Sequence, residues 1–365
     1  MTRPPRGALV RLALVASVSL AGVVASAGPA SAHGVGGAQP TNFETIVRGV
    51  VPDVHGLTAG VTSDQRIELR NETGHAAVVL GYEGEPYLRV ESDGVWQNRR
   101  SPAVFLNRTR TPTTEAPRRY DASAPPVWER ISEGNVARWH DHRTHWMADA
   151  LPPEVRSDRD RAHTIIEDWR IPVRWNGRDL DIAGDARWVP GPSAWPWLAS
   201  ATLLAGAVIV GSRTRAWSTI AAAALAVLVV TESLHVLGTW VGSDATIGNR
   251  LGENAYSVTA VLLAVAALIW VRRSDAWVAA PAVLIAGLFM AIAGGVSDLA
   301  VLSRSQLPTT LAPGLARLTV TAALGLGTGL AVGAALRLRS APPDNEAPVD
   351  PTPTTVGTPA RAPKI

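Results

Sequence analysis

Hydrophobic positions follow two regimes along the chain. Over 33–193 they come in short runs broken by Gly, Pro, Asn and Asp, whereas over 194–338 they form long blocks of Ala, Leu, Val and Gly. The short β-prone runs lie at 46–51, 66–69, 76–82, 87–90 and 95–98. A further run at 169–175 meets Asn176-Gly177, a type I′ hairpin signal, before 180–182 returns. Strands at this spacing, with no long helical period among them, predict a β-sandwich of immunoglobulin-like or cupredoxin-like kind. The Pro- and Thr-rich stretch 108–126 predicts a long surface loop. Pro190-Gly191-Pro192 predicts a short, stiff link that keeps this domain close to whatever follows it.

The long blocks at 195–211, 217–238, 255–271, 277–297 and 318–336 each approach the ~20 residues that cross a bilayer, so a five-helix transmembrane bundle is expected. Residues 1–32 carry Arg3, Arg6 and Arg11, an apolar stretch over 12–24 and Ala30-Ser31-Ala32, which reads as a secretory signal cleaved to leave His33 at the mature N-terminus. Domain 33–193 is then extracytoplasmic in a multi-pass cell-membrane protein. The loops holding Arg213, Arg215, Arg272, Arg273, Arg337 and Arg339 fall on the cytoplasmic side, as the positive-inside rule asks. Trp195, Trp197, Trp217, Trp240, Trp270 and Trp277 sit near span ends, where an interfacial aromatic belt belongs. Gly325, Gly329 and Gly333 make a small-residue stripe for close helix packing. The Pro- and Thr-rich tail 339–365 reads as disordered and cytoplasmic.

Charge removes several function classes. Residues 33–193 hold 20 Lys+Arg against 23 Asp+Glu, a net of −3, so nucleic acid is not an expected partner. The absence of cysteine excludes disulfides, thiolate metal sites and thiol catalysis. No Walker or GxGxxG sequence supports a nucleotide, and no GxSxG or HExxH supports hydrolysis.

The chemistry-bearing segment is Trp139-His140-Asp141-His142-Arg143-Thr144-His145-Trp146-Met147, which packs three of the eight histidines into six residues. On a strand His140 and His142 share a face; on a helix His142 and His145 pair instead. Neutral imidazole suits copper and zinc. A mature N-terminal His33 adds its α-amine and imidazole to such a pair, giving a nitrogen-rich set that favours Cu(II), with zinc as the alternative metal. Asp141 and His145 are then supporting or weaker contacts. The competing reading is a hydrogen-bonded surface cluster with Trp139 and Trp146 packed beneath it.

His33-Gly34 at the mature end, followed about a hundred residues later by His140-Asp141-His142 in a β-domain, resembles the copper-binding subunit of particulate methane and ammonia monooxygenases. The resemblance implies a cupredoxin-like domain holding copper in a histidine brace, with His33, His140 and His142 at the matching positions. It does not extend to the bundle. Copper-resistance proteins with an N-terminal His on a small β-sandwich are similar in the same respect. The whole chain also resembles a type of actinobacterial membrane protein, which supplies no activity.

Ionisable residues inside spans are costly and mark candidate sites. Glu232 and His235 are three apart and share a helix face. With Glu253, Asp298 and Arg317 they are expected to converge on the half of the bundle beneath the β-domain, as a metal- or proton-accepting pocket. The alternative is a set of ion pairs, Arg317 with Asp298 or Glu232, that locks the helices. Together these features predict an extracytoplasmic copper-binding protein for trafficking or resistance, anchored in the lipid bilayer and served by copper transport or assembly proteins. A metal-free envelope interaction protein is the next reading, and a copper-dependent oxidative enzyme the one after it.

Overall fold

A computed structural model describes residues 39–108, 115–148, 150–242 and 247–340. The signal region, His33 and the tail beyond residue 340 lie outside the described residues. Ten strands precede five apolar helices. Strands β1 (Phe43–Val51), β4 (Ala77–Leu80), β5 (Pro86–Glu91), β6 (Gly94–Asn98), β7 (Trp128–Ser132), β9 (His163–Trp175) and β10 (Arg178–Trp188) form one antiparallel sheet in the order β1-β10-β9-β4-β5-β6-β7. Strands β2 (Leu57–Val61), β3 (Ile67–Asn71) and β8 (Val136–Trp139) form a second, in the order β2-β3-β8. Inward residues of both sheets make one apolar cluster, with Leu57, Ile67 and Leu69 facing Val79, Leu88, Ile171 and Ile182. That is a sandwich-like packing.

The Asn176-Gly177 turn is as its residues predict: both have positive φ, 48° and 72°, and Trp175 pairs directly with Arg178. Three strands escape the sequence pattern. β2, β7 and β8 are short, and β7 is largely exposed, so none carries a long apolar alternation.

The helices are α1 (Trp195–Gly211), α2 (Trp217–Gly242), α3 (Ile247–Arg273), α4 (Ala276–Met290) and α5 (Pro313–Arg339). Four spans are long and apolar enough to cross a membrane: α2, Arg250–Arg273 within α3, α4 continued to Val296, and α5. α1, at 17 residues, is apolar but shorter. The first of the five expected spans, 195–211, is therefore the least complete, and it lies against α5 rather than standing alone. There the glycine stripe does its packing. A Cβ at Gly325 would lie 2.7 Å from the Ala201 carbonyl oxygen, one at Gly329 2.7 Å from Val208 Cβ, and one at Gly333 2.9 Å from Ser212 Cβ. α4 does not end cleanly but widens into a π-helical turn, Ala291–Val296, in which Ser297 N–H donates to Ile292 O at 3.0 Å, five residues back.

The β-domain is docked on the bundle through the loop between Ser303 and Leu311. Thr41 and Gln306 exchange two backbone hydrogen bonds, 3.0 and 2.8 Å. Ser305 N–H donates to Asn42 Oδ1 at 3.0 Å, and the Ser305 hydroxyl donates to Val189 O at 2.7 Å. Gly191 passes so close that a Cβ there would fall 1.9 Å from Ser303 O. Farther along, Thr310 N–H donates to Gly238 O at 3.2 Å, so the loop also covers that end of α2.

The α1–α5 packing yields a direct prediction. Gly325→Ala forces overpacking and lowers stability by about 1–3 kcal/mol. Gly206→Ala on α1, where a Cβ meets nothing within 4 Å, raises it through helix propensity. Thermal unfolding of both variants in detergent reads the opposite signs.

Candidate functional site

The histidine segment is not a strand. β8 ends at Trp139, before both His140 and His142, because Asp141 caps a single 3₁₀ turn, His142–Thr144. The expected sharing of a strand face by His140 and His142 therefore does not occur. The turn instead brings His142 against His145, with ring centroids 5.8 Å apart and the rings nearly perpendicular. His145 is buried and His140 half-buried. The His142 ring also stacks on Tyr82 at 5.9 Å, and the His142 backbone N–H donates to the Tyr82 hydroxyl at 2.9 Å.

Asp141 holds this turn together. Its buried carboxylate accepts from Trp139 Nε1 at 3.0 Å, from Arg143 N–H at 3.1 Å, and from Arg143 Nε and Nη2 at 2.8 and 2.7 Å. Four donors occupy its two oxygens, so it positions the histidines rather than reaching for an ion. Arg143 also lies over the Tyr82 ring at 4.9 Å. A second buried carboxylate, Glu85, accepts from the Ser101 hydroxyl at 2.6 Å and from Glu83 N–H at 3.0 Å, in the space left by Gly81. Tyr82, Asn107 and Glu85 belong to this polar cluster, yet nothing in their spacing marks them. Tyr82 and Glu85 come from the turn between β4 and β5 and Asn107 from the loop after residue 106, segments that only the folded sheet brings together.

Burial pushes the Tyr82 and Tyr87 phenols above their ordinary value, and the Asp141 charge adds to the rise. Arg143 is held above its usual value: burial opposes its charge, but the hydrogen bond and charge of Asp141 outweigh it. The histidine turn is tied to the start of the described chain, since the Thr45 hydroxyl on β1 donates to Thr144 O at 3.2 Å. β1 leads back to Thr41 and thus to the docking loop.

On the bundle side of that loop lies the second polar group. Glu232, His235 and Asp298 are all buried, and His235 Nε2 stands 3.5 Å from Asp298 Oδ2. Glu232 and His235 project from one face of α2 as their spacing predicts, while Asp298 follows the π-helical turn of α4. Gly294 of that turn leaves the space the Glu232 carboxylate fills: a Cβ there would lie 2.4 Å from Oε2. Glu232 Oε1 has no hydrogen-bond partner among the described residues. α3 contributes Ser257, which faces Glu232, and Asn254, whose Oδ1 accepts from the Thr239 hydroxyl at 2.8 Å. Sequence reasoning missed Asn254, Ser257 and Gly294; two small polar residues three apart on α3 were the available signal.

The other two expected members behave differently. Glu253 is half-buried on α3, four residues before Ser257. Arg317 pairs with neither Asp298 nor Glu232; its Nη2 donates to Arg304 O at 2.8 Å. The ion-pair lock is thus replaced by a histidine–carboxylate contact, because Arg317 begins α5 on the side that faces the docking loop.

Among the described residues no three His, Asp or Glu side chains are placed to hold one metal ion. Comparison with protein-family models, with curated proteins and with solved structures returns no match.

Two measurements probe these sites. Tyr82 and Tyr87, two of the four tyrosines, stay protonated past pH ~10 while the domain is folded. Because the unfolded chain releases those protons first, their contribution to stability is complete below pH ~10 and is lost as pH rises above it. A tyrosinate absorbance titration then shows Tyr82 and Tyr87 ionising only with unfolding, an increment that Tyr82→Phe and Tyr87→Phe remove. Gly294→Ala crowds the Glu232 carboxylate, and Glu232→Ala relieves the crowding. Thermal stabilities of the two single variants and the double variant should give a favourable coupling of about 1 kcal/mol.

Proposed function

We propose that this chain is an extracytoplasmic copper-binding protein anchored in the membrane, serving copper trafficking or resistance. In this reading the histidine turn binds the metal, and the buried Glu232–His235–Asp298 group is a cation-accepting site below it. The observation that carries it is the pair of polar groups linked across the seam: a paired-histidine turn tied through Thr45 to β1, whose start is bonded to the docking loop, and a group of buried carboxylates with a histidine near the end of α2 that this loop covers. Cation-binding side chains have no reason of packing to collect there. Each costs desolvation, and buried carboxylates in an apolar bundle cost most.

The donor set supports copper in part. His142 and His145 offer two adjacent imidazoles, with His140 two residues before the first. Cu(II) in a tetragonal nitrogen set needs at least one further donor, and the α-amine and imidazole of His33 are the candidates. Asp141 serves in this reading by fixing the turn, since its oxygens are occupied by Arg143 and Trp139. Zinc would compete for the same imidazoles but ranks below Cu(II) for nitrogen ligands.

The tight tying of Asp141, Arg143 and Tyr82 favours a second reading, in which the cluster only stiffens a domain that binds an envelope partner and the bundle anchors it.

The full-length protein with its processed N-terminus decides between them by copper stoichiometry and electron paramagnetic resonance. One Cu(II) in a nitrogen-rich site is expected, weakened at least about tenfold in the His142→Ala, His145→Ala double variant. One extra Gly before His33 should abolish the signal of an amine nitrogen. A native chain that retains no copper leaves the anchoring reading.

A further inference from the structure

A lateral cleft opens between α1 and α2, with α5 as its floor, and has a volume of about 700 Å³. It exists because α1 packs along α5 on the glycine stripe and leaves the side toward α2 uncovered. Its walls are Trp197 and Leu204 of α1, Ala224 and Val227 of α2, and Thr321 and Leu326 of α5. From Trp197 to Val208, its deepest residue on α1, is eleven residues, or about 16 Å at 1.5 Å per residue. That is half of the ~30 Å hydrocarbon core, the depth of one leaflet. None of its lining residues is charged.

The end of the cleft nearest the β-domain meets a half-buried arginine. Arg317 lies one helical turn from Thr321 on the same face of α5, and the Thr321 hydroxyl donates to Arg317 O at 2.8 Å. The Arg317 guanidinium makes no salt bridge among the described residues. It donates once, from Nη2 to Arg304 O, and its Nε is buried with no acceptor. Arg304 itself is exposed beside it. An arginine held at a membrane interface without a carboxylate, above an apolar cleft one leaflet deep, lacks an anion that carries its own hydrocarbon.

We infer that this cleft is a binding site for an anionic phospholipid of the leaflet nearest the β-domain. One acyl chain lies between α1 and α2, and the phosphate accepts from Arg317. The occupant is a lipid rather than a free anion because the cleft opens sideways into the hydrocarbon layer. It is anionic because the charged side chains placed at its mouth, Arg317 and the exposed Arg304 beside it, are both arginines with no salt bridge among the described residues, and the planar fork of Arg317 matches phosphate oxygens. The site is independent of the copper reading, since neither the histidine turn nor Glu232 takes part.

The test uses the full-length protein, stripped of lipid in a neutral detergent, with native mass spectrometry reading retained lipid. Palmitoyl-oleoyl phosphatidylglycerol is compared with the phosphatidylcholine of the same chains. One phosphatidylglycerol per chain is expected, held in preference to phosphatidylcholine. Arg317→Gln should weaken it about tenfold, the loss of one charge-assisted hydrogen bond, and bring it to the phosphatidylcholine level. Arg317→Lys should keep the preference in part. Val227→Trp, which fills the cleft from a half-exposed position, should abolish retention of both lipids with Arg317 intact. Arg273→Gln, at the far end of α3, should change nothing. Equal retention of the two lipids by the native chain overturns the proposal, as does undiminished phosphatidylglycerol binding in the Val227→Trp protein. Displacement of the lipid by millimolar inorganic phosphate also overturns it, because the site would then be one for a free anion.

Discussion

The arrangement of this molecule depends on a short backbone pairing between Thr41 and Gln306, reinforced by Asn42, Val189 and Ser305. Polar backbone groups at the edge of an apolar bundle must find partners, and here the partners belong to a different domain. Two strand termini of the large sheet, the start of β1 and the end of β10, are thereby seated on the loop that precedes α5. A second tie lies beside it, where the Ser63 hydroxyl donates to Gly242 O at 3.3 Å at the end of α2. The histidine turn hangs from β1 through Thr45, and the same loop roofs the end of α2 that carries His235.

Within the bundle, the decisive term is the cost of burying carboxylates in an apolar setting. Glu232 and Asp298 are tolerated because the helix around them is irregular. The π-helical turn of α4 shifts the register so that Gly294 faces Glu232, and Asp298 emerges against His235. A regular α-helix with a side chain at 294 would leave no volume for the Glu232 carboxylate. π-helical turns recur at functional sites for this reason: they cost hydrogen-bond geometry and give a side chain or a ligand room.

The glycine stripe of α5 has two consequences of opposite character. It draws α1 in to backbone contact, which is what holds this short helix. The same close approach pulls α1 away from α2 and opens the cleft beneath Arg317. Tight packing on one face and an open apolar groove on the next are a single geometric event.

Periodicity and local chemistry determined a good deal of this protein. The change from short alternating runs to long apolar blocks separates the β-domain from the helices, because burial on one sheet face and burial in an apolar layer demand different spacings. Asn176-Gly177 settled its hairpin, since few other residue pairs accept two positive φ values in succession. Glu232 and His235 were legible as one face because three residues on a helix always are. The tertiary structure decided the pairings. A one-residue cap, Asp141, stopped β8 before the histidines and turned a strand pair into a turn pair, and the arginine that completes that cap is only two residues on. Arg317 and Asp298 are candidates for an ion pair by sequence, on neighbouring elements, yet Arg317 turns to the Arg304 carbonyl and Asp298 lies against His235. Charge and spacing name the groups that can interact; which of them meet depends on where the backbone carries them, and that is a property of the packed chain alone.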